Sequence, residues 1–282
     1  MEGRYCNVSL ESIPMLRLAA NLTLLFTEVP FEQRFAAAAA AGFRYVECQF
    51  PYGHDPGLLS SLLARHRLKM VLHNLPAGDW ASGERGIACH PDRMAECRAG
   101  VTLGLQYAAT LGCARLNCLA GVVPEGVTES DATQTFVENL RYAAPICARA
   151  GVRLLIESIN RRDVPGFLLS GTRQARDIID LVDSDNLFIQ YDAYHMHVME
   201  GRAVDTLTQY WDQIAHVQVA DAPGRHEPGT GEIDFQALFG FLTRKGYGGF
   251  IGCEYLPVGA TTDGLGWMRH VQRGEGPGRP ED

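Results

Sequence analysis

The feature that most restricts the fold is a repeat. Eight short apolar runs, at 16–22, 43–49, 69–74, 114–119, 152–158, 187–192, 214–219 and 249–255, have strand character. Between them lie seven segments of helical periodicity, at 31–41, 58–65, 91–111, 131–150, 172–182, 204–213 and 235–245. Strict alternation leaves two architectures, an open doubly wound sheet or a closed barrel. The count of eight matches closure, and no GxGxxG follows the first run to mark a nucleotide-binding open sheet. The expected fold is a single (β/α)₈ TIM barrel over residues 14–270, with an N-terminal extension at 1–13 and a flexible Gly- and Pro-rich tail at 271–282. A chain of 282 residues suits one such barrel, which takes about 250. Helices end on glycine just before a strand in AAGF, TLGCA, RAGVRL and RKGYGG, while the segments after the strands are long and polar. That asymmetry puts chemistry at the C-terminal rim of the strands.

Charge and cysteine usage narrow the partners. A net charge of −8, with no concentrated Lys/Arg run, argues against nucleic acid and for a small-molecule ligand. The eight cysteines are scattered without CxxC spacing, which reads as reduced core thiols. No apolar stretch reaches the roughly 20 residues a membrane span needs, and the first residues lack a basic-then-apolar leader, so a cytoplasmic location is expected. Neither a glycine-rich NAD or ATP loop nor a nucleophile elbow is present.

Polar residues that close apolar strands are then the ones to inspect. Glu157 closes RLLIES, Asp192 closes LFIQYD, Gln218 lies in AHVQVAD and Glu254 closes FIGCEY. A single carboxylate in such a place is as readily a helix cap or a salt bridge. Four oxygen-bearing side chains at a common height on strands five to eight fit that reading poorly, because neighbouring strands are only about 4.8 Å apart and an unpaired buried carboxylate is costly. Three carboxylates and an amide oxygen form a hard donor set, suited to one divalent cation such as Mg²⁺ or Mn²⁺ and less to Zn²⁺.

At these residues the chain resembles the hydroxypyruvate isomerase family, which includes 2-oxo-tetronate isomerases and lies within the xylose isomerase-like barrels. The resemblance runs from about Leu16 to Trp267 and rests on LLIESIN, IQYDAYHMHVMEG, HVQVADAPGRHEPGTGEIDF and GFIGCEY. It implies that Glu157 and Glu254 are both metal ligands and the paired acid/base catalysts, with Asp192 and Gln218 completing the metal site. It further implies that His195, three residues after Asp192, and Arg225, in PGRHEPG, hold oxygens of a small sugar-acid substrate. Gln218 stands where related 3-epimerases usually have His, which favours the hydroxypyruvate isomerase branch. Homo-oligomers are common among similar proteins and are expected here.

Alternatives remain open at several positions. His195 also reads as a buried, satisfied histidine and Arg225 as a solvated loop cation. Glu47, His73 and Asn117 close strands two to four; Glu47 would order a loop and His73 and Asn117 would touch substrate, with packing or capping as the plain alternative. Phe50, Tyr52, Trp80 and Tyr255 fall near the rim and would exclude water there, or simply pack. Competing functions are a ketose 3-epimerase or dehydratase of the same superfamily, an endonuclease IV-type phosphodiesterase, and a non-catalytic sugar-binding barrel.

Overall fold

The fold comes from a computed structural model that describes residues 15–272. The expected N-terminal extension and the tail beyond Gln272 lie outside the described residues. Eight parallel strands close a barrel in chain order, and the last pairs back to the first. They are β1 (Leu18–Asn21), β2 (Tyr45–Cys48), β3 (Lys69–Asn74), β4 (Arg115–Asn117), β5 (Arg153–Glu157), β6 (Leu187–Asp192), β7 (Ile214–Val219) and β8 (Ile251–Cys253). The helices α1 (Phe31–Ala40), α2 (Pro56–His66), α3 (Met94–Leu111), α4 (Glu129–Arg149) and α5 (Thr172–Val182) follow the first five strands.

Local chemistry sets the helix ends. Asp55 caps α2 by accepting from Leu58 N, Pro56 opens it, and Leu59, Leu62 and Leu63 turn inward. Gly112, in the left-handed region at φ 64°, ends α3 directly before β4.

The second half departs from expectation in two places. The helix expected over 204–213 is α7 (Ala203–Gln209) followed by a 3₁₀ turn at Trp211–Gln213, and a helix that was not expected, α6 (Ala193–Glu200), precedes it. Asp192 caps α6 straight off the strand and Gly201, at φ 68°, stops it. After α8 (Phe235–Arg244) and β8, a 3₁₀ segment at Thr261–Trp267 leads into α9 (Met268–Gln272). Trp267 stacks on Phe239 at 5.9 Å and Val271 is buried, so packed structure continues past the boundary expected at residue 270.

The barrel interior has two layers. Ala19, Val71, Leu72, Leu155 and Ala215, with Tyr45, Phe188 and Phe250, fill its lower part. Above them the same strands carry buried Asn21, Glu47, Asn117, Glu157, Gln190, Asp192 and Gln218. Gly252 makes room for this layer, since a Cβ there would lie 2.3 Å from Glu47 Oε1.

Register shows how the four site residues reach the same mouth. Glu157 pairs with Gln190, Asp192 with Gln218, and Gln218 with Gly252. Asp192 therefore stands two residues above the partner of Glu157, and Glu254 two above the partner of Gln218, just past the end of β8. Because tilted strands carry in-register partners progressively toward the lower end of the barrel, this upward stagger brings the four side chains to a common level, and its even steps keep them on the inner face.

Among the described residues seven cysteines are free and buried, as expected of core thiols; Cys6 lies outside them. No helix of the described residues is long and apolar enough to cross a membrane.

Candidate active site

Three buried carboxylates meet at the C-terminal mouth of the barrel. Ligand-capable atoms of Glu157, Asp192 and His195 lie within 4.8 Å of one another. Glu254 faces the same space: Nη2 of Arg225 is 2.8 Å from its Oε1 and 3.6 Å from Asp192 Oδ2. One guanidinium thus stands between two carboxylates, reached by a loop in which Arg225 itself has φ 58°. That loop is wired by Asp221, fully buried, whose oxygens accept from the backbone N–H groups of Ala222, Gly229, Gly231 and Ile233 at 2.8–3.1 Å.

Each carboxylate has its own support. Asp192 Oδ1 caps α6 by accepting from Tyr194 N at 2.8 Å, so the helix-cap reading holds for one oxygen. Its other oxygen, Oδ2, is buried with no hydrogen-bond partner. Glu157 Oε2 accepts from Asn117 Nδ2 at 2.9 Å, so the Asn117 amide nitrogen bears on a carboxylate of the site. Glu254 accepts from Asn21 Nδ2 at 2.9 Å, Gln49 Nε2 at 3.0 Å and Gln218 Nε2 at 2.5 Å.

Gln218 presents its nitrogen to Glu254 and to Glu47 Oε1, the latter at 2.7 Å, while its Oε1 accepts from Gln190 Nε2 at 2.6 Å. Beneath it Glu47 pairs with His216 Nε2 at 2.8 Å, both side chains fully buried. Glu47 therefore supports the site from inside the barrel and not the neighbouring loop alone.

Burial dominates the electrostatics. It pushes the Glu157 carboxyl well above its ordinary value, helped by the nearby charges of Glu254 and Asp192. Asp192 moves up for the same first reason, although Arg225 opposes it. Glu254 rises to about 7, burial again outweighing Arg225. A pocket that resists carrying three negative charges with one guanidinium nearby is one that a divalent cation would complete. The orphaned Asp192 Oδ2 and the all-oxygen carboxylate set fit such an ion.

The remaining expected residues are placed as follows. His195 is buried against Asp192, with Nε2 at 3.7 Å from Oδ2, and burial followed by Arg225 drives its pKa well down, leaving it neutral. His73 is held down to about 4 by burial; its Nδ1 meets Asn74 O at 3.1 Å and Tyr52 Oη at 3.3 Å, and Nε2 is buried without a partner. Phe50 and Trp80 pack together at 4.8 Å, whereas Tyr255 is buried against Trp267 and belongs to the core. Sequence reasoning passed over Asn21, Gln190, His216, Asn160 and Asp221. Gln190 and His216 had a signal, standing two positions before Asp192 and Gln218 on the same strand face.

Comparison with known proteins fixes the family. The model of the xylose isomerase-like TIM barrel matches residues 35–271. Hydroxypyruvate isomerase of Escherichia coli (strain K12) is 52% identical, over 90% of this chain and 98% of that protein. The chain belongs to the hydroxypyruvate isomerase family of xylose isomerase-like barrels. A 2-oxo-tetronate isomerase of Haemophilus influenzae is 41% identical over 90% of this chain and 99% of its own. A crystal structure of a Brucella melitensis protein described as AP endonuclease, family 2, superposes with a TM-score of 0.88 at 41% identity, covering 90% of this chain and 98% of that one. Family membership and the closed barrel agree with the sequence reading.

Proposed function

We propose that this protein is a divalent-metal-dependent isomerase of small 2-oxo sugar acids, interconverting hydroxypyruvate and tartronate semialdehyde or a 2-oxo-tetronate and its isomer. The observation that carries the reading is the convergence of Glu157, Asp192 and Glu254 on one buried space, with Asp192 Oδ2 lacking a hydrogen bond. Glu157, Asp192 and Glu254 would hold the ion; Gln218, expected as the fourth ligand, faces Glu254 with its amide nitrogen and would join them only by turning its oxygen away from Gln190. When bound, the ion would supply a Lewis acid that acidifies the carbon next to a carbonyl.

The chain's own groups do the rest. Glu157 and Glu254 come from β5 and the end of β8, the outer two of four adjacent strands, so a substrate between them meets a carboxylate on either side. One takes the proton from the hydroxyl-bearing carbon next to the carbonyl, leaving an enediolate, and a carboxyl returns a proton to the former carbonyl carbon. A raised pKa suits that exchange, because a carboxylate near 7 both accepts and releases a proton at neutral pH. Arg225 supplies positive charge to the substrate carboxylate or the enediolate. Gln218 keeps Glu254 in place through its amide nitrogen.

The test is proton NMR in deuterated water with Mg²⁺ or Mn²⁺, using hydroxypyruvate and a four-carbon 2-oxo-tetronate in parallel. Conversion with deuterium incorporation at the exchanging carbon, lost on chelation, is the expected result. No conversion of either acid with either ion would overturn the reading, and exchange at C3 of the tetronate with its 2-oxo group retained would redirect it to 3-epimerisation. The description of the Brucella relative raises abasic-site DNA cleavage as a second reading. A net charge of −8 opposes it, and a cleavage assay on abasic DNA is expected to be negative.

A further inference from the structure

We propose that Asn160 is a positioning residue that fixes the tautomer of His195, so that this buried imidazole offers the site an Nε2–H donor in place of a lone pair. The identity of the acceptor rests on the isomerase reading; the tautomer itself does not.

The atoms that join Asn160 to His195 have roles that are not interchangeable. Asn160, fully buried, follows Glu157 by three residues, the same offset by which His195 follows Asp192 on the next strand. Its Oδ1 accepts from two backbone donors, Arg162 N at 3.1 Å and Asp163 N at 2.8 Å. Backbone N–H groups can only donate, so they fix which end of the amide is oxygen. Nδ2 must then face the other way, where it reaches Asp163 Oδ2 at 2.9 Å and His195 Nδ1 at 2.7 Å. The Asn160 backbone N also approaches Nδ1, at 3.4 Å. Asp163 is held in turn by the Tyr194 hydroxyl at 2.9 Å. An amide nitrogen donates, so Nδ1 must accept, and the proton of the neutral ring sits on Nε2.

That assignment decides between two roles. The compact grouping of His195 with Glu157 and Asp192 has the dimensions of a metal triplet. Coordination through Nε2 would need its lone pair, and hence a proton on Nδ1, where Asn160 already points a donor. His195 is therefore excluded from the ligand set by its neighbour. Its Nε2–H is free to donate to an oxygen that gains negative charge as the enediolate forms.

The experiment labels histidine with ¹⁵N and reads the ring nitrogens by long-range correlation to ring protons, with His195→Gln for assignment. In the unaltered protein His195 is expected to show an unprotonated Nδ1 and a protonated Nε2. Asn160→Asp turns a donor into an acceptor, so Nδ1 should gain a proton, and kcat for the sugar acid should fall about 10- to 100-fold with KM little changed. Asn160→Ala, which only removes the donor, should give mixed tautomers and a smaller loss. A proton on Nδ1 in the unaltered protein overturns the proposal, whether or not the variants fold. So does an Asn160→Asp protein with Nδ1 protonated and full kcat, which would make the tautomer irrelevant to turnover. Absence of any isomerase turnover in the unaltered protein would fault the functional reading instead, since the nitrogen spectrum needs no substrate.

Discussion

The two ends of the barrel interior are built from the same strands and differ in almost every physical respect. At the lower end Ala19, Val71, Leu72, Leu155 and Ala215 close an apolar plug. At the upper end Glu47, Glu157, Gln190, Asp192, Gln218 and Glu254 form a hydrogen-bonded polar layer, with three carboxylates whose pKa values are raised. On β5 the change takes two residues, from Leu155 to Glu157 on the same inward face. One end contributes stability by removing apolar surface from water. The other holds unfavourable charge in place, which the plug and the helix layer must offset. Stability and chemistry are thus separable along a single strand.

The largest effect should come from neutralising the acid/base pair. Glu157→Gln and Glu254→Gln are each expected to cut turnover by about 10³-fold, within the range of general acid–base catalysis. Their metal-free thermal stability should hold or rise, because a buried like charge is removed. Full activity in either variant, measured by the deuterium-exchange assay, would remove both carboxylates from the mechanism.

Two residues lower, the consequences should be reversed. Leu155→Ala deletes buried methyl groups from the plug and should destabilise the fold by about 2–5 kcal/mol in denaturant titrations. Turnover per folded molecule should stay within about twofold, since the site is supported by its own hydrogen bonds. A large drop in kcat would show that the two layers are mechanically coupled.

A smaller effect separates the layers by pH. Glu254, raised to about 7 from 4.5 chiefly by burial, binds its proton more tightly in the folded state than in the unfolded chain. The contribution of Glu254 to stability is thus full below pH 4.5 and is lost as pH rises to about 7, with Glu157 and Asp192 acting in the same direction. Chelator-treated protein should accordingly melt a few degrees lower at pH 8 than at pH 5. Mn²⁺ competes with those protons, so it should stabilise far more at pH 8. Equal melting temperatures at both pH values, unmoved by Mn²⁺, would mean that the carboxylates are not held as the structure places them.

Much of this was legible in the sequence because the barrel alternates so regularly. Strands 69–74, 187–192 and 214–219 and helix 172–182 fall where the pattern puts them, and the residues that close strands mark the rim. What escaped has physical reasons. A one-dimensional pattern carries no strand tilt, so the stagger in register that brings Glu157, Asp192, Gln218 and Glu254 to one level could not be read from it. Helix α6 was hidden because its cap is Asp192, a residue already assigned to the site. The Glu47–His216 pair brings together positions 169 residues apart, and no local spacing announces it. Asn160 stood inside the LLIESIN motif, yet its role depends on which atoms of its amide meet which partners.

The smallest predicted effect asks whether the first half of the rim touches substrate or only supports the second half. Asn117 was expected to hold substrate, but its Nδ2 donates to Glu157 Oε2 at 2.9 Å and to Asn74 Oδ1 at 3.1 Å. Asn117→Ala removes a donor that favours the charged form of Glu157, so the pKa of that carboxyl should move further up. The acid limb of the kcat profile should shift to higher pH, and turnover at pH 7 should fall about tenfold, the lower end of the cost of losing a ligand's hydrogen-bond partner. A substrate-contact role gives a different signature, a raised KM with the acid limb unmoved. Asn117 Oδ1 has no partner and is the atom such a contact would use. A rise in KM alone would therefore move Asn117 from the support of Glu157 to recognition of the sugar acid, and would make β4 part of the binding surface.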